Sequence, residues 1–186
     1  MGRAIRIAAL GAVMLAGCVP AGGPVTQSMS FAGGGVVIAP PLGYCIDREA
    51  TRRGDGMAFA LVASCSRLSD GAEPGPARPL VLTATVDLSP TTAGEVDLTV
   101  LTTALQPFGP SEARAEGDMA LVRLSKGGQK IVPDGASAHW RAGLNVNGHG
   151  VLIGVFGPKG SAVGDAAGAR LARSFAESIR KASSAK

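Results

Sequence analysis

The sequence is poor in aromatic residues and in histidine. Only 4% of its 186 residues are aromatic, and it contains one Trp, one Tyr, five Phe and two His. Because 46% of the residues are hydrophobic, aliphatic side chains are expected to fill most of the core. A zinc site built on His139 and His149 would also need carboxylate ligands, which no local spacing supplies. We therefore expect two surface histidines and no metal site.

The apolar run near the N-terminus is too short to span a bilayer. Arg3 and Arg6 precede an uncharged apolar run at residues 7–15, and small residues follow up to Cys18. These are the three parts of an export signal, whereas a transmembrane helix needs about 20 apolar residues. We therefore predict that residues 1–17 are a signal peptide.

Leu15-Ala16-Gly17-Cys18 resembles the lipobox of bacterial lipoproteins at each of its four positions. The resemblance implies that Cys18 receives a diacylglycerol on its sulfur, that cleavage occurs before it, and that its new amine can be acylated with a chain such as palmitate. Two or three acyl chains make a stable membrane anchor. The alternative is an ordinary secretory signal with an incidental cysteine. The resemblance implies a periplasm-facing location in the cell envelope, and Val19 in place of Asp favours the outer over the inner membrane.

The mature chain has little excess charge. The formal charge is +4 for the whole sequence, but removal of Arg3 and Arg6 with the signal leaves 16 basic residues against 14 acidic ones. A basic patch that binds nucleic acid needs a larger and more clustered excess. No nucleic-acid partner is expected.

Cys45 and Cys65 are the other two of the three cysteines. An even pair in an oxidising compartment favours a disulfide, and closing a loop of this length stabilises a fold by about 3 kcal/mol. The competing interpretation is that the two cysteines are ligands of a metal site, which would need more ligand residues than the sequence offers. We predict a Cys45–Cys65 disulfide.

The composition divides the mature chain into a tether and one domain. Residues 18–35 are mostly small residues and turn formers without an apolar period, which is typical of a flexible tether. Residues 36–186 have the length and the hydrophobic content of a single globular domain.

Apolar runs and alternation predict the strands. Residues 57–65 are almost wholly apolar, as in a strand covered on both faces, and residues 80–88 alternate as in a half-buried strand. Asn147-Gly148 predicts the turn of a hairpin between strands at 138–146 and 151–156. Further strands are predicted at 36–38, 44–46, 119–124 and 130–132, a charged connection at 47–56 and a helical turn at 112–115.

Two helices are predicted. Thr92 and Glu95 have capping-box spacing before a stripe that ends at Pro107. Leu171, Phe175 and Ile179 form the apolar face of a longer helix at about 161–183. The fold class is therefore α+β, an antiparallel sheet packed against a long C-terminal helix and a shorter middle helix.

Pro41-Leu42-Gly43-Tyr44 together with the terminal helix resembles the PsbP-like sandwich domain, in which such a helix covers a sheet. The resemblance implies this same α+β arrangement. No site is carried over from it.

No set of residues predicts catalysis. Ser161 follows Gly160, but the nucleophile elbow of a serine hydrolase requires Gly at position 159, which is Lys, so Ser161 is interpreted as a helix cap. Acid–base or calcium chemistry is conceivable for the charged residues at 47–55, yet a solvated loop is favoured. Tyr44 and Trp140 could form a ligand platform, but packing is favoured.

We therefore expect a non-enzymatic, membrane-anchored lipoprotein of the envelope that binds or assembles with a protein partner and needs no cofactor. The alternative is a periplasmic binder of small molecules or cell-wall fragments, or a weak enzyme, that uses a cleft between sheet and helix.

Overall fold

The computed structural model describes residues 25–90 and 94–184. The predicted signal peptide, Cys18 and Thr92 lie outside these residues. The strands of the described part are β1 (Met29–Phe31), β2 (Val36–Ile38), β3 (Tyr44–Arg53), β4 (Met57–Ser64), β5 (Val81–Asp87), β6 (Pro110–Glu116), β7 (Met119–Leu124), β8 (His139–Val146) and β9 (His149–Phe156). Its helices are α1 (Cys65–Leu68), α2 (Leu98–Ala104) and α3 (Ala166–Ser184).

Within the described residues, seven strands form one antiparallel sheet in the order β3-β4-β5-β9-β8-β7-β6, and β1 pairs with β2 in a separate hairpin. The β8–β9 hairpin is confirmed, and Asn147 and Gly148 have φ values of 51° and 82°, as a type I′ turn requires. The predicted α+β class, with an antiparallel sheet, a long C-terminal helix and a shorter helix, is therefore correct.

Helix α3 closes the main core against one face of the sheet. Phe175 and Ile179 are fully buried in the same cluster as Trp140, Leu144 and Ile153 of β8 and β9. This burial follows from the three- and four-residue spacing of the apolar side chains along the helix.

Polar contacts hold α3 at both ends. The indole Nε1–H of Trp140 donates to the carbonyl oxygen of Asp165, just before the helix, at 3.2 Å. Near the C-terminus, the backbone N–H of Val37 donates to Ser183 Oγ at 2.9 Å. Arg173 forms a two-pronged ion pair with Glu116, at 2.5 and 2.7 Å, next to the β6–β7 turn. The helix therefore contacts the N-terminal hairpin as well as the sheet.

The predicted disulfide is confirmed. Cys45 in β3 and Cys65 at the start of α1 are joined, with their Cα atoms 4.9 Å apart and 20 residues between them in sequence number. Both residues are buried. The bridge therefore fastens the edge strand β3 to the end of its neighbour β4.

The folded part begins earlier than the sequence predicted. Residues expected to belong to the tether form β1, and the backbone N–H of Ile46 donates to the carbonyl oxygen of Thr26 at 2.7 Å. Phe31 is buried against the core, and the Arg53 guanidinium lies 4.4 Å from the centre of its ring. Strand β2 agrees with the strand predicted at 36–38, but β1 has only three residues and lies in a stretch of small residues and turn formers, so the hairpin was not recognised.

Both edge strands were misread from the sequence. The predicted charged connection at 47–56 is mostly strand, because β3 continues to Arg53 past a bulge between Asp47 and Arg52. The predicted helical turn at 112–115 lies in β6. An edge strand with charged side chains avoids pairing with other chains and lacks the apolar alternation that identifies a strand.

Three further local predictions are wrong. The expected strand at 130–132 is replaced by a 3-10 turn at Gly128–Lys130, and β7 pairs with β6 and β8 instead. Helix α2 is capped by Asp97, whose Oδ1 accepts from the backbone N–H groups of Thr99 and Val100. Helix α3 begins at Ala166 rather than at Ser161, after a 3-10 turn at Ala162–Gly164.

Candidate interaction surface

Helix α2 covers only part of the second face of the sheet. Leu98, Leu101 and Phe108 pack on the buried residues Val122 and Leu124 of β7. At its other limit, α2 approaches Gly143 of β8 so closely that a Cβ there would lie 3.2 Å from Leu101 Cδ2. Beyond β8, strands β9, β5 and β4 continue the same face.

Five side chains of this continuation form a surface that we call the open strip: Met57, Phe59, Leu61, Thr85 and Leu152. Phe59 pairs with Thr85, and Thr85 pairs with Leu152, so these three lie in one row across β4, β5 and β9. Met57 and Leu61 lie two positions to either side of Phe59 and therefore point to the same face. The strip runs across three neighbouring strands.

The open strip is mostly apolar and at least partly exposed to solvent. Met57 is 63% exposed, and the other four residues are partly exposed. A groove of about 290 Å³ lies between the strip and α2, and it is lined by Met57, Thr85, Asp87, Val96, Leu101, Gly143, Gly150, Val151 and Leu152. The solvent-facing side of an antiparallel sheet is usually polar, so apolar side chains that adjoin one another here suit an interaction with a partner. This strip is the candidate functional surface.

Arg141 and Thr83 adjoin the strip. Thr83 pairs with Leu61 and with Gly154, and Gly154 pairs with Arg141, so the four residues form the next row across the sheet. The Arg141 guanidinium lies 4.9 Å from the centre of the Phe156 ring, and burial lowers the pKa of Arg141. The cation therefore packs against an aromatic ring beside the strip.

The expectation of two surface histidines is wrong. His139 is 1% exposed and His149 is 9% exposed. The His139 ring stacks on Phe156 with 5.0 Å between centroids and meets the edge of Phe108 at 6.4 Å. The burial of His139 was not expected because it alternates with apolar residues at a polar position of β8. His149, in contrast, lies on the core face of β9, two residues before Val151, and pairs with the buried Val146. The two residues lie at opposite ends of that hairpin.

Each histidine binds a backbone carbonyl group. His139 Nδ1 lies 3.2 Å from the carbonyl oxygen of Ser137, and His149 Nδ1 lies 3.0 Å from that of Asp87. Since a carbonyl oxygen only accepts, Nδ1 carries the proton in both contacts. Burial, opposed by the Ser137 carbonyl and assisted by the nearby Arg141 charge, lowers the pKa of His139 to about 4.

We expect the protein to lose stability as the pH falls from 7 to 5. The pKa of His139 is about 4 in the folded state and about 6.5 in an unfolded chain. As the pH falls, the unfolded state therefore takes up the proton at a higher pH than the folded state and is stabilised relative to it between these two pKa values. Over this pH interval the free energy of unfolding should fall by about 2 kcal/mol. Urea denaturation at both pH values measures the change, with His139→Phe as the control. Equal losses in the two proteins would show that another group is responsible.

The other candidate residues have structural roles. Tyr44 and Trp140 are buried, and the Leu80 backbone N–H donates to the Tyr44 hydroxyl at 3.2 Å, so the expected packing is confirmed. Asp47 Oδ1 accepts from the Ala50 backbone N–H at 2.9 Å within the β3 bulge. Ser161 Oγ is buried and has no hydrogen-bond partner in the described part of the chain, so it caps no helix.

A second concave region lies near the start of α3. This cleft of about 570 Å³ is lined by Arg78, Pro79, Leu80, Pro158, Lys159, Gly160, Ser161 and Ala167. It combines two cationic side chains with apolar walls. The cleft lies near the ends of β5 and β9 that are farther from Met57, and it corresponds to the predicted cleft between sheet and helix.

In residues 25–90 and 94–184, no group of three or more His, Cys, Asp or Glu side chains is placed to hold a metal ion. Among the helices of those residues, none is long and apolar enough to cross a membrane.

Comparison with known proteins gave no match: no family model, no curated protein sequence and no solved structure is similar to this chain.

Proposed function

We propose that this protein is a lipoprotein of the bacterial cell envelope, anchored through Cys18, that acts as a non-catalytic binding or assembly module. The open strip is the observation that carries the binding role, since its mostly apolar side chains are at least partly exposed on one face of the sheet. The complete lipobox supports the anchor, and a buried disulfide accords with an oxidising compartment. On this proposal the domain faces the periplasm, with the outer membrane favoured by Val19.

The anchor would keep the domain close to the membrane. The carbonyl oxygen of Thr26 accepts from the backbone N–H of Ile46 in the edge strand, so eight peptide units separate Cys18 from this contact with the sheet. Even when fully extended, such a segment reaches at most about 29 Å. Confinement to so thin a layer raises the effective concentration of the domain toward a partner that is anchored there.

Exchange of the lipobox for an ordinary cleavable signal is expected to remove most of the function. The released domain would fold in the same compartment but lose the concentration that the anchor provides. The measurement is complementation of a deletion phenotype at native abundance, after mass spectrometry has established whether the parent protein carries acyl groups on Cys18. Full complementation by the released form would show that the anchor is incidental.

The cleft at Arg78 and Lys159 supports a second candidate, a binder of anionic small molecules or cell-wall fragments. Two cations next to apolar walls suit a ligand with a carboxylate or phosphate group. Complementation separates the two candidates, because a double variant with Arg78→Ala and Lys159→Ala should fail only if the cleft is used. Met57→Glu should fail only if the open strip is used.

A further inference from the structure

We propose that the open strip binds one amphipathic helix of a partner envelope protein, with the apolar face of that helix on the strip and Lys or Arg side chains along its border. This inference rests on the proposed binding role and adds the chemical class of the partner.

The width of the strip fits a single helix. Neighbouring strands lie about 4.8 Å apart, so β4, β5 and β9 span about 10 Å from first to last. A helix with its side chains is about 10–12 Å wide. Helix α2 already occupies the next strands of the same face, so a partner helix would lie beside α2 and complete a second layer.

The strip has raised side chains and a recessed groove, which together can receive a helix. Met57, Phe59, Leu61 and Leu152 stand on the sheet, while Gly143 and Gly150 leave the groove open between Leu152 and α2. Apolar anchors of a helix at positions three and four apart can enter such a groove. On the far side, Asp47 pairs with Leu61 and Arg52 pairs with Phe59, so polar side chains end the apolar surface at β3.

Acidic residues border the Met57 end of the strip. Asp87 lines the groove and pairs with Met57, and Glu95 and Asp97 flank Val96, another residue of the groove wall. Asp55 lies two residues before Met57. All four carboxylates are exposed. We call them the acidic border, and charge complementarity at such a border favours Lys or Arg in the partner.

Within the described residues, no cation forms an ion pair with this border. Arg52 donates to the carbonyl oxygens of Glu49 and Thr51 on its own strand. Arg141 packs on the ring of Phe156, in a row of the sheet that does not reach Met57.

The helices of a second copy do not match the required partner. The exposed residues of α3 include Arg170, Glu177 and Lys181, whereas the exposed side of α2 carries Thr99, Val100 and Thr103. The exposed side of α3 is charged, and the exposed side of α2 has no cation. Within the described residues, neither helix combines an exposed apolar stripe with basic neighbours.

The test begins with a photoreactive amino acid placed at Phe59 of the full-length protein in intact envelopes. The same group at Leu42, which is fully exposed outside the strip, is the matched control. We expect a crosslink that is specific to position 59 and that maps to an amphipathic helical segment with Lys or Arg beside its apolar face. A crosslink only to a second copy or only to lipid, a mapped segment without these features, or the same products from both positions would overturn the proposal.

The mapped segment, made as a synthetic peptide, is then titrated against the full-length protein in detergent. Met57→Glu is expected to weaken binding at least about 10-fold, and Glu95→Lys about 3- to 10-fold, with a smaller dependence on salt. Leu42→Glu should leave the affinity unchanged. Because Met57 is already 63% exposed, its substitution should leave the fold intact, which thermal unfolding checks. Unchanged binding by a folded Met57→Glu protein would refute the proposal.

This outcome is separate from that of the proposed function. Loss of complementation in the lipobox exchange, together with no helix crosslink at position 59, would reject the partner class and leave the anchored role. Full complementation together with a helix crosslink would reject the anchor alone.

Discussion

Phe175→Ala is expected to lower the free energy of unfolding by about 3–5 kcal/mol, the range for removing a phenyl ring from a core. Phe175 is fully buried in the cluster that α3 shares with β8 and β9. Interiors are close-packed, so the sheet has few ways to fill the space that the ring leaves. Urea denaturation monitored by the fluorescence of Trp140, which lies in the same cluster, measures the loss.

Arg170→Ala is the matched control on the same helix. Arg170 is exposed, and surface substitutions of this kind change stability by less than about 0.5 kcal/mol. If both variants lost the same small amount of unfolding free energy, the conclusion that α3 packs closely on the sheet would be wrong.

Removal of the disulfide is the second large effect. Cys45→Ala is expected to lower the free energy of unfolding by about 2–5 kcal/mol. The bridge closes a loop of 20 residues, for which the chain-entropy estimate is about 3 kcal/mol. It also fastens β3, an edge strand that pairs with β4 alone among the strands of the seven-stranded sheet.

The double variant Cys45→Ala/Cys65→Ala distinguishes the loss of the bridge from effects of the unpaired thiol that the single variant retains. It should be destabilised by a similar amount to the wild-type protein under reducing conditions, since both lack only the cross-link. A wild-type protein whose stability did not change on reduction would contradict a role for the bridge in holding β3.

The main elements of the fold could be predicted because their residues follow simple periods. Leu82, Ala84 and Val86 alternate along β5 and are buried, and Phe175 and Ile179 recur at helical spacing in α3. The disulfide followed from the number of cysteines and the expected compartment. In each case one local pattern or one count was enough.

The rest could not be predicted because it depends on neighbours that are distant in sequence. Strand β1 has only three residues in a stretch of turn formers, and it pairs with β2, which in turn contacts α3 through Val37 and Ser183. Burial of His139 requires Phe108 and Phe156, which come from different parts of the chain.

Only part of the open strip could be predicted from the sequence. The apolar run at 57–65 correctly predicted a strand, but the expected cover on both faces is wrong, because β4 buries only one face and Met57 on the other is 63% exposed. The acidic border combines residues from the turn before β4, the end of β5 and the segment before α2. No single stretch of sequence contains it.

The strand order concentrates the entropic cost of folding in one place. β3, β4 and β5 form one meander, and β6 to β9 form another, so each strand within them pairs with a neighbour in sequence. Among the described strands of this sheet, only the seam between β5 and β9 joins distant segments, since Val86 pairs with Val151 and Val81 with Phe156, at separations of 65 and 75 residues. Closing a long loop costs chain entropy before its contacts form. Because both cysteines precede β5, the disulfide shortens none of this loop, and the seam must form without its help.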